Sequence, residues 1–153
     1  MNLQFTRADL VRDRDVLTRF NIEYLNWIGE AVQARFALSL SDLLGMSIPD
    51  YVDGALEKLC DGVPPSGVFY LARDGETALG MGGLRRVADG VGEIKRIYVP
   101  KAARGAGLGA KILDRLIEDA RSFGYRELVL DTGPFMTSAH RLYQEAGFVD
   151  IPA

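Results

Sequence analysis

The chain has 153 residues, 48 % of them hydrophobic and 25 % charged, with a formal net charge of -3, one cysteine and one histidine. That length suits one domain over residues 1–153, able to bury roughly two thirds of its unfolded surface without staples. The composition argues against disorder, the lone Cys60 and His140 exclude an internal disulfide and a Cys/His metal cluster, and the net charge argues against general polyanion binding, nucleic acid included.

From the N-terminus, Leu3 to Phe5 reads as a short strand, and Thr6 to Asp9 supplies turn and capping residues. Met1 to Asp15 alternates charged and apolar residues, with no apolar core of a signal peptide, and no run approaches the ~20 apolar residues of a membrane helix. Neither secretion nor a membrane partner is suggested, and a reducing cytoplasm is the expected compartment. Leu10 to Ala37 carries a helical pattern in which Phe20, Tyr24, Trp27, Ile28 and Ala31 share one face, an aromatic stripe expected to pack on a sheet or to wall an acceptor pocket. Gly45 to Pro49 interrupts it. Tyr51, Val52, Ala55, Leu56 and Leu59 then trace a second amphipathic helix that ends near Asp61-Gly62, with Asp42, Asp50, Asp53 and Glu57 forming a solvated acidic face. Cys60 beside it is a small interior residue with nothing adjacent to activate its thiol.

Val68 to Arg73, Asp74-Gly75 and Thr77 to Leu84 predict a β-hairpin, and a further strand follows Asp89-Gly90. Gly80, Gly82 and Gly83 weaken the hairpin's second strand and point to a bulge or to a ligand close to the backbone. Arg85, Arg86, Lys95 and Arg96 read as a solvated strand face or as a grip on an acceptor carboxylate. Ile94, Ile97, Tyr98 and Val99 favour a strand that Pro100, which lacks an amide, should end. Helix, strand and helix then alternate, so the expected fold is a mixed, mostly antiparallel central sheet flanked by helices, in the α/β (α+β) class.

Between Pro100 and the next helix lies Lys101-Ala102-Ala103-Arg104-Gly105-Ala106-Gly107-Leu108-Gly109-Ala110. The glycines allow positive φ and a close backbone approach. Leu108, Ile112, Leu113, Leu116, Ile117 and Ala120 recur at helical spacing, and Phe123-Gly124 supplies a stop. The first-turn amides and the helix dipole make an anion site, with Lys101 and Arg104 alongside, which points to a phosphate or pyrophosphate. A P-loop does not fit, since Ala110 precedes Lys111 and Ile112 follows it. A dinucleotide fingerprint fits G-x-G-x-x-A, with Asp131 about 20 residues on, but Pro100 to Arg104 intervene between strand and glycines.

The segment Arg104-Gly105-Ala106-Gly107-Leu108-Gly109 also fits (Q/R)-x-x-G-x-(G/A) and resembles the acyl-CoA loop of the GNAT superfamily of N-acyltransferases. The likeness extends over about residues 65 to 150. It includes Tyr98-Val99-Pro100 and the run Ala139-His140-Arg141-Leu142-Tyr143-Gln144-Glu145-Ala146-Gly147-Phe148, which is similar to that family's A-x-x-L-Y-x-x-x-G-F helix. The resemblance implies a GNAT-like fold and transfer of an acetyl group from acetyl-CoA, as cosubstrate, to a primary amine of a small molecule or peptide. It implies that backbone amides of Ile97, Tyr98 and Val99 hold the pantetheine arm and that Arg104, Gly105, Ala106, Gly107, Leu108, Gly109 and Ala110 hold the pyrophosphate. Tyr143 would be the general acid toward the leaving thiolate, with a helix-packing aromatic as its alternative, and Glu93 the base, with an ion pair to Lys95 or Arg96 as its alternative. His140 would share a helix face with Tyr143. The sequence departs from the family pattern at Met136, where asparagine is frequent, and residues 148 to 151 are expected to form an edge strand, left open or completed by a second copy in a homodimer. A CoA-binding sensor without turnover and a dinucleotide-binding domain are the competing readings.

Overall fold

Five strands form one sheet in chain order: β1 (Leu3–Arg7), β2 (Val68–Asp74), β3 (Thr77–Ala88), β4 (Val91–Tyr98) and β5 (Glu127–Leu130). Pairing is antiparallel from β1 to β4 and parallel between β4 and β5, the mixed, mostly antiparallel sheet that the run of strands followed by a crossover helix requires. The computed structural model describes residues 1–130, 141 and 143–149.

The helices α1 (Arg14–Phe36), α2 (Leu40–Leu44) and α3 (Ile48–Leu59) precede β2, and α4 (Leu108–Ser122) connects β4 to β5. α1 starts four residues later than its apolar pattern, because the Asp9 carboxylate accepts hydrogen bonds from the Val11 and Arg12 amides and holds 9–12 as a turn. The short α2 has no counterpart in the apolar pattern; its Ser39 cap and the positive φ of Gly45 delimit only five residues. Pro49 lies in the first turn of α3, behind the Ser47 cap, where its missing amide costs nothing. The buried residues of α1 are Leu17, Phe20, Asn21 and Leu25. The stripe is therefore rotated from the expected one, and Trp27 is 38 % exposed at its border.

A bulge in β4 governs what each face of the sheet presents. Met81 pairs with Tyr98, yet Gly83 pairs with Lys95, so β4 fits one extra residue into that interval. Arg96 takes a φ of 58 there, a left-handed conformation uncommon for any residue but glycine. Before the bulge Ile94 faces α4, and after it Ile97 and Val99 do so, packing with Tyr70, Leu84, Ile112, Leu113 and Leu116. Tyr98 turns to the opposite face, into a cluster with Leu17, Phe20, Leu25, Val52, Leu56 and Met81.

The glycines of β3 explain how closely α4 lies on the sheet. A Cβ at Gly82 would stand 2.6 Å from Cγ2 of Ile112, and one at Gly80 would stand 2.9 Å from its Cδ1. A bulge in the strand of these glycines is present beside Gly80, where Ala72 pairs with Gly80 but Arg73 with Ala78, leaving Leu79 as the extra residue; the space beside Gly80 and Gly82 is taken by α4. Phe148 and Val149 lie in neither helix nor strand; residues 150 and 151 of the expected edge strand are outside the described residues.

Candidate active site

The glycine-rich loop follows β4 through a single 3-10 turn, Lys101–Ala103. Gly105 and Gly107 have φ of 98 and 70, and nothing lies within 4 Å of where a Cβ would sit on either. Both positions therefore need glycine for conformation, not for space. Gly107 caps α4 with its carbonyl, which accepts from the Lys111 amide, while no side chain caps the helix start. The amides of Leu108, Gly109 and Ala110 are then the orphan donors of the first turn, with the positive end of the helix dipole behind them. Leu108 is buried and anchors this turn; Gly105, Ala106 and Gly107 are exposed. Arg104 is exposed as well, and its Nε donates to the Val99 carbonyl at 3.0 Å, folding the guanidinium back over the strand end. Amides, open glycines and one arginine together offer donors to an anion.

Pairing of β4 with β5 runs from Val91–Glu127 to Ile94–Leu130. Beyond it, the backbone of Ile97, Tyr98 and Val99 has no β5 partner among the described residues. The ring of Tyr98 meets Phe20 and Tyr24 edge-on, and its hydroxyl donates to Glu23 at 2.8 Å. Burial, then the Glu23 carboxylate, pushes that hydroxyl's pKa up to about 12, so it stays a donor and ties α1 to the end of β4. Arg96 makes a second tie: Nη1 donates to Asn21 Oδ1 at 3.0 Å, and the guanidinium lies 5.6 Å from the Tyr24 ring centroid. Asn21 is buried and its amide donates to the Leu17 carbonyl, so both ends of its side chain are satisfied. Arg96 is therefore not part of a solvated strand face.

Glu93 is engaged by Arg85, Nε to Oε1 at 2.6 Å, across the antiparallel pair of β3 and β4 where the two residues stand opposite. The ion pair weighed for Glu93 exists, with Arg85 in place of Lys95 or Arg96, and it leaves Oε2 available. Lys95 lies partly buried on the same face. Its pKa is lowered by burial first, then by the charges of Arg85 and Arg96. A cleft of about 270 Å³ opens here between the end of α3, the loop before β2, and strands β3 and β4.

Arg141 and Tyr143–Glu145 are helical. The helix ends in a Schellman arrangement: Gly147 has a φ of 99, the Phe148 amide donates to the Tyr143 carbonyl, and the Gly147 amide to that of Gln144. The Phe148 ring then meets Tyr143 edge-on at 6.1 Å. The motif's glycine and second aromatic thus have a local purpose, which is to stop the helix and wedge the tyrosine in place. Tyr143 is 9 % exposed. Its pKa is pushed up to about 12 by burial first and by Tyr24 second, so at neutral pH it carries a proton to give, and its hydroxyl and that of Tyr24 share one neighbourhood. Both predicted roles, packing aromatic and proton donor, are compatible with this setting. Glu93 pairs with Arg85 rather than with Tyr143. His140, Met136 and Asp131 lie outside the described residues.

Cys60 is half-buried, and burial pushes its thiol up to about 11, so it is not a thiolate nucleophile. Among the described residues no three His, Cys, Asp or Glu side chains gather as a metal site, and no helix is long and apolar enough to cross a membrane. Sequence pattern does not mark Asn21 as part of the site, and it offers Tyr24 as a pocket wall and Arg85 as a carboxylate grip without their partners, Arg96 and Glu93. The signal for the first is an amide among apolar neighbours on a helix; the partners of the other two depend on the sheet register.

The site thus sits on a five-stranded mixed sheet, at an uncapped helix start that follows the bulged strand β4. The model of the Acetyltransferase (GNAT) family matches residues 38–148, and the chain belongs to that family. An uncharacterised N-acetyltransferase of Schizosaccharomyces pombe is 30 % identical over 149 residues, covering 96 % of this chain and 83 % of that protein. An IAA acetyltransferase of Azospirillum brasilense is 36 % identical over 83 residues, 54 % of each chain, so the match spans about half the length of that relative. Among solved structures, a predicted acetyltransferase from Clostridium acetobutylicum with acetyl-CoA aligns with a TM-score of 0.64 at 18 % identity, over 97 % of this chain and 91 % of that one, a likeness of fold.

Proposed function

We propose that residues 1–153 act as one N-acetyltransferase domain that moves an acetyl group from acetyl-CoA to a primary amine of a small molecule or peptide by direct attack. The observation that carries the reading is the loop 104–110, where two positive-φ glycines with open space beside them lead into a helix start that no side chain caps, beyond the end of a bulged strand. In this reading Arg104, Gly105, Ala106, Gly107, Leu108, Gly109 and Ala110 hold the pyrophosphate, and the backbone of Ile97, Tyr98 and Val99 holds the pantetheine arm. The Clostridium structure, which contains acetyl-CoA, lends the cosubstrate support by fold. A cytoplasmic place of action goes with it, supported by a lone cysteine that is half-buried and unreactive.

The chemistry follows from the remaining side chains. The amine must lose a proton before or as it attacks, and Glu93 accepts it through Oε2 or a bridging water while Arg85 holds Oε1. The new C–N bond forms as the thioester C–S bond breaks. A strand-end amide of Ile97–Val99 donates to the carbonyl oxygen as negative charge gathers on it, an effect worth roughly 3 kcal/mol in acyl transfer. Tyr143 supplies the proton that the departing thiolate takes.

Calorimetric titration with acetyl-CoA, with NADH as the control, and a thiol-release assay over a panel of amines, amino acids and peptides test the reading. Saturable acetyl-CoA binding with amine-dependent thiol release is expected. Acetyl-CoA binding without release on any amine would favour a sensor, and NADH binding alone would overturn the assignment of the loop.

A further inference from the structure

The cleft lined by Lys95 and by Arg85, the partner of Glu93, has an unbalanced charge. Its lining includes Lys58, Arg85, Arg86 and Lys95 against the single carboxylate of Asp61. Two of the cations are already paired: Arg85 with Glu93 at 2.6 Å and Arg86 with Asp89 at 3.0 Å. Lys95 is not. No hydrogen bond or ion pair with a described residue holds its ammonium, although it sits partly buried on the sheet between Arg85 and the bulge at Arg96. An amine donor taken out of water without an acceptor costs stability unless something supplies one, and its lowered pKa registers that cost, with burial as the first cause and the neighbouring arginines next.

The position of Lys95 says what that acceptor is for. Glu93 and Lys95 are two residues apart on one strand face, about 7 Å at a rise of ~3.4 Å per residue, and both lie on the α3 side, opposite the face that α4 covers. A small molecule bridging them meets a cation at one end and the proton-accepting carboxylate at the other. Arg96, one residue on, adds positive potential, but its own guanidinium is fixed on Asn21; Lys58, at the end of α3, is exposed, which leaves Lys95 as the partly buried grip on the strand.

We infer that the acceptor is a compact amine that also carries an anionic group, a carboxylate or a phosphate, and that Lys95 binds this anion so that the amine stands against Glu93. The inference rests on the transferase reading above and narrows it: cationic polyamines and plain neutral amines are disfavoured, because the cleft repels the first and leaves Lys95 unpaired with the second.

The test compares thiol release from acetyl-CoA with four short amines: glycine for the carboxylate, 2-aminoethyl phosphate for the phosphate, ethanolamine as the neutral case and ethylenediamine as the cationic one. One or both anionic amines should show kcat/KM at least about tenfold above ethanolamine, and the better of the two names the anion. Lys95→Ala should raise KM about tenfold or more for the anionic amines and leave KM for ethanolamine within about twofold. Lys95→Glu, which keeps a long polar side chain, should turn the preference toward ethylenediamine. Preference for the neutral or cationic amine in the unaltered protein, or an equal loss across all four in Lys95→Ala, would overturn the inference. Should thiol release fail for every amine, the transferase reading falls first. Calorimetric binding of the same four amines then decides the narrower claim: anion-selective binding lost in Lys95→Ala sustains it, and equal or absent binding refutes it.

Discussion

The two faces of β4 make different use of the same eight residues. On the α4 side, Gly92, Ile94 and Ile97 are packed against apolar neighbours, and Gly80 and Gly82 of the adjoining strand let Ile112 approach until no Cβ would fit. On the α1 side, Glu93, Lys95, Arg96 and Tyr98 are polar, and three of the four are held by a named partner. One face supplies close packing and the other carries the polar, partnered groups. The bulge at Arg96 lets both run to the end of the strand, since without it Ile97 and Tyr98 would exchange sides. What this teaches is that the polar residues of the site are held in place by apolar packing on the reverse of the same strand, so perturbing either face should leave a different signature.

The largest expected effect is at Tyr143. Tyr143→Phe should lower kcat by about 10²–10⁴-fold while the ring still packs on Phe148 and the melting temperature is nearly unchanged. Because burial pushes the Tyr143 hydroxyl up to about 12, the pH profile of kcat should show no loss of this acid between neutrality and pH 10. A Tyr143→Phe variant with full kcat would leave the residue a packing aromatic only. On the apolar face, Leu116→Ala should cost about 2–5 kcal/mol of stability in denaturant unfolding, with kcat per folded molecule retained.

Asn21→Ala comes next. It leaves the Arg96 guanidinium without its acceptor, for about 1–3 kcal/mol, and should raise KM through the loosened strand end more than it lowers kcat. The smallest effect is confined to acid. Asp13, buried, receives Arg73 at 2.6 Å and Arg12 at 2.7 Å, and its pKa is lowered, chiefly by the Arg12 hydrogen bond. A carboxyl depressed in the folded state contributes stability that is fully present above its unfolded value near 3.8 and is lost as pH falls through the folded one. Urea unfolding midpoints should therefore fall off below about pH 4, and Asp13→Asn should flatten that slope.

Features carried by local pattern are legible in the amino-acid sequence. α4 can be bounded because its apolar spacing starts at Leu108 and ends at Phe123-Gly124, and both limits are fixed by neighbouring residues. The hairpin of β2 and β3 announces itself through Asp74-Gly75, and the family motifs around Gly107 and Tyr143 are readable for the same reason: a positive φ demands glycine at a fixed place. Hidden are the features set by register. Nothing about Arg96 marks a left-handed residue, since the bulge there is dictated by pairing with β3. The partner of Glu93 is Arg85, eight residues away across a hairpin, and a one-residue slip would choose another. Asn21 looks like one polar residue in an apolar helix, and only its position under the bulge gives it a role.

The most direct test of the central claim follows backbone amide resonances during titration with acetyl-CoA. Leu108, Gly109 and Ala110 should shift most, with Gly105, Gly107 and the Ile97–Val99 strand end, while the C-terminal half of α4 and the β1–β2 pair stay still. Shifts elsewhere with that loop unmoved, or no shifts at saturating acetyl-CoA, would contradict it.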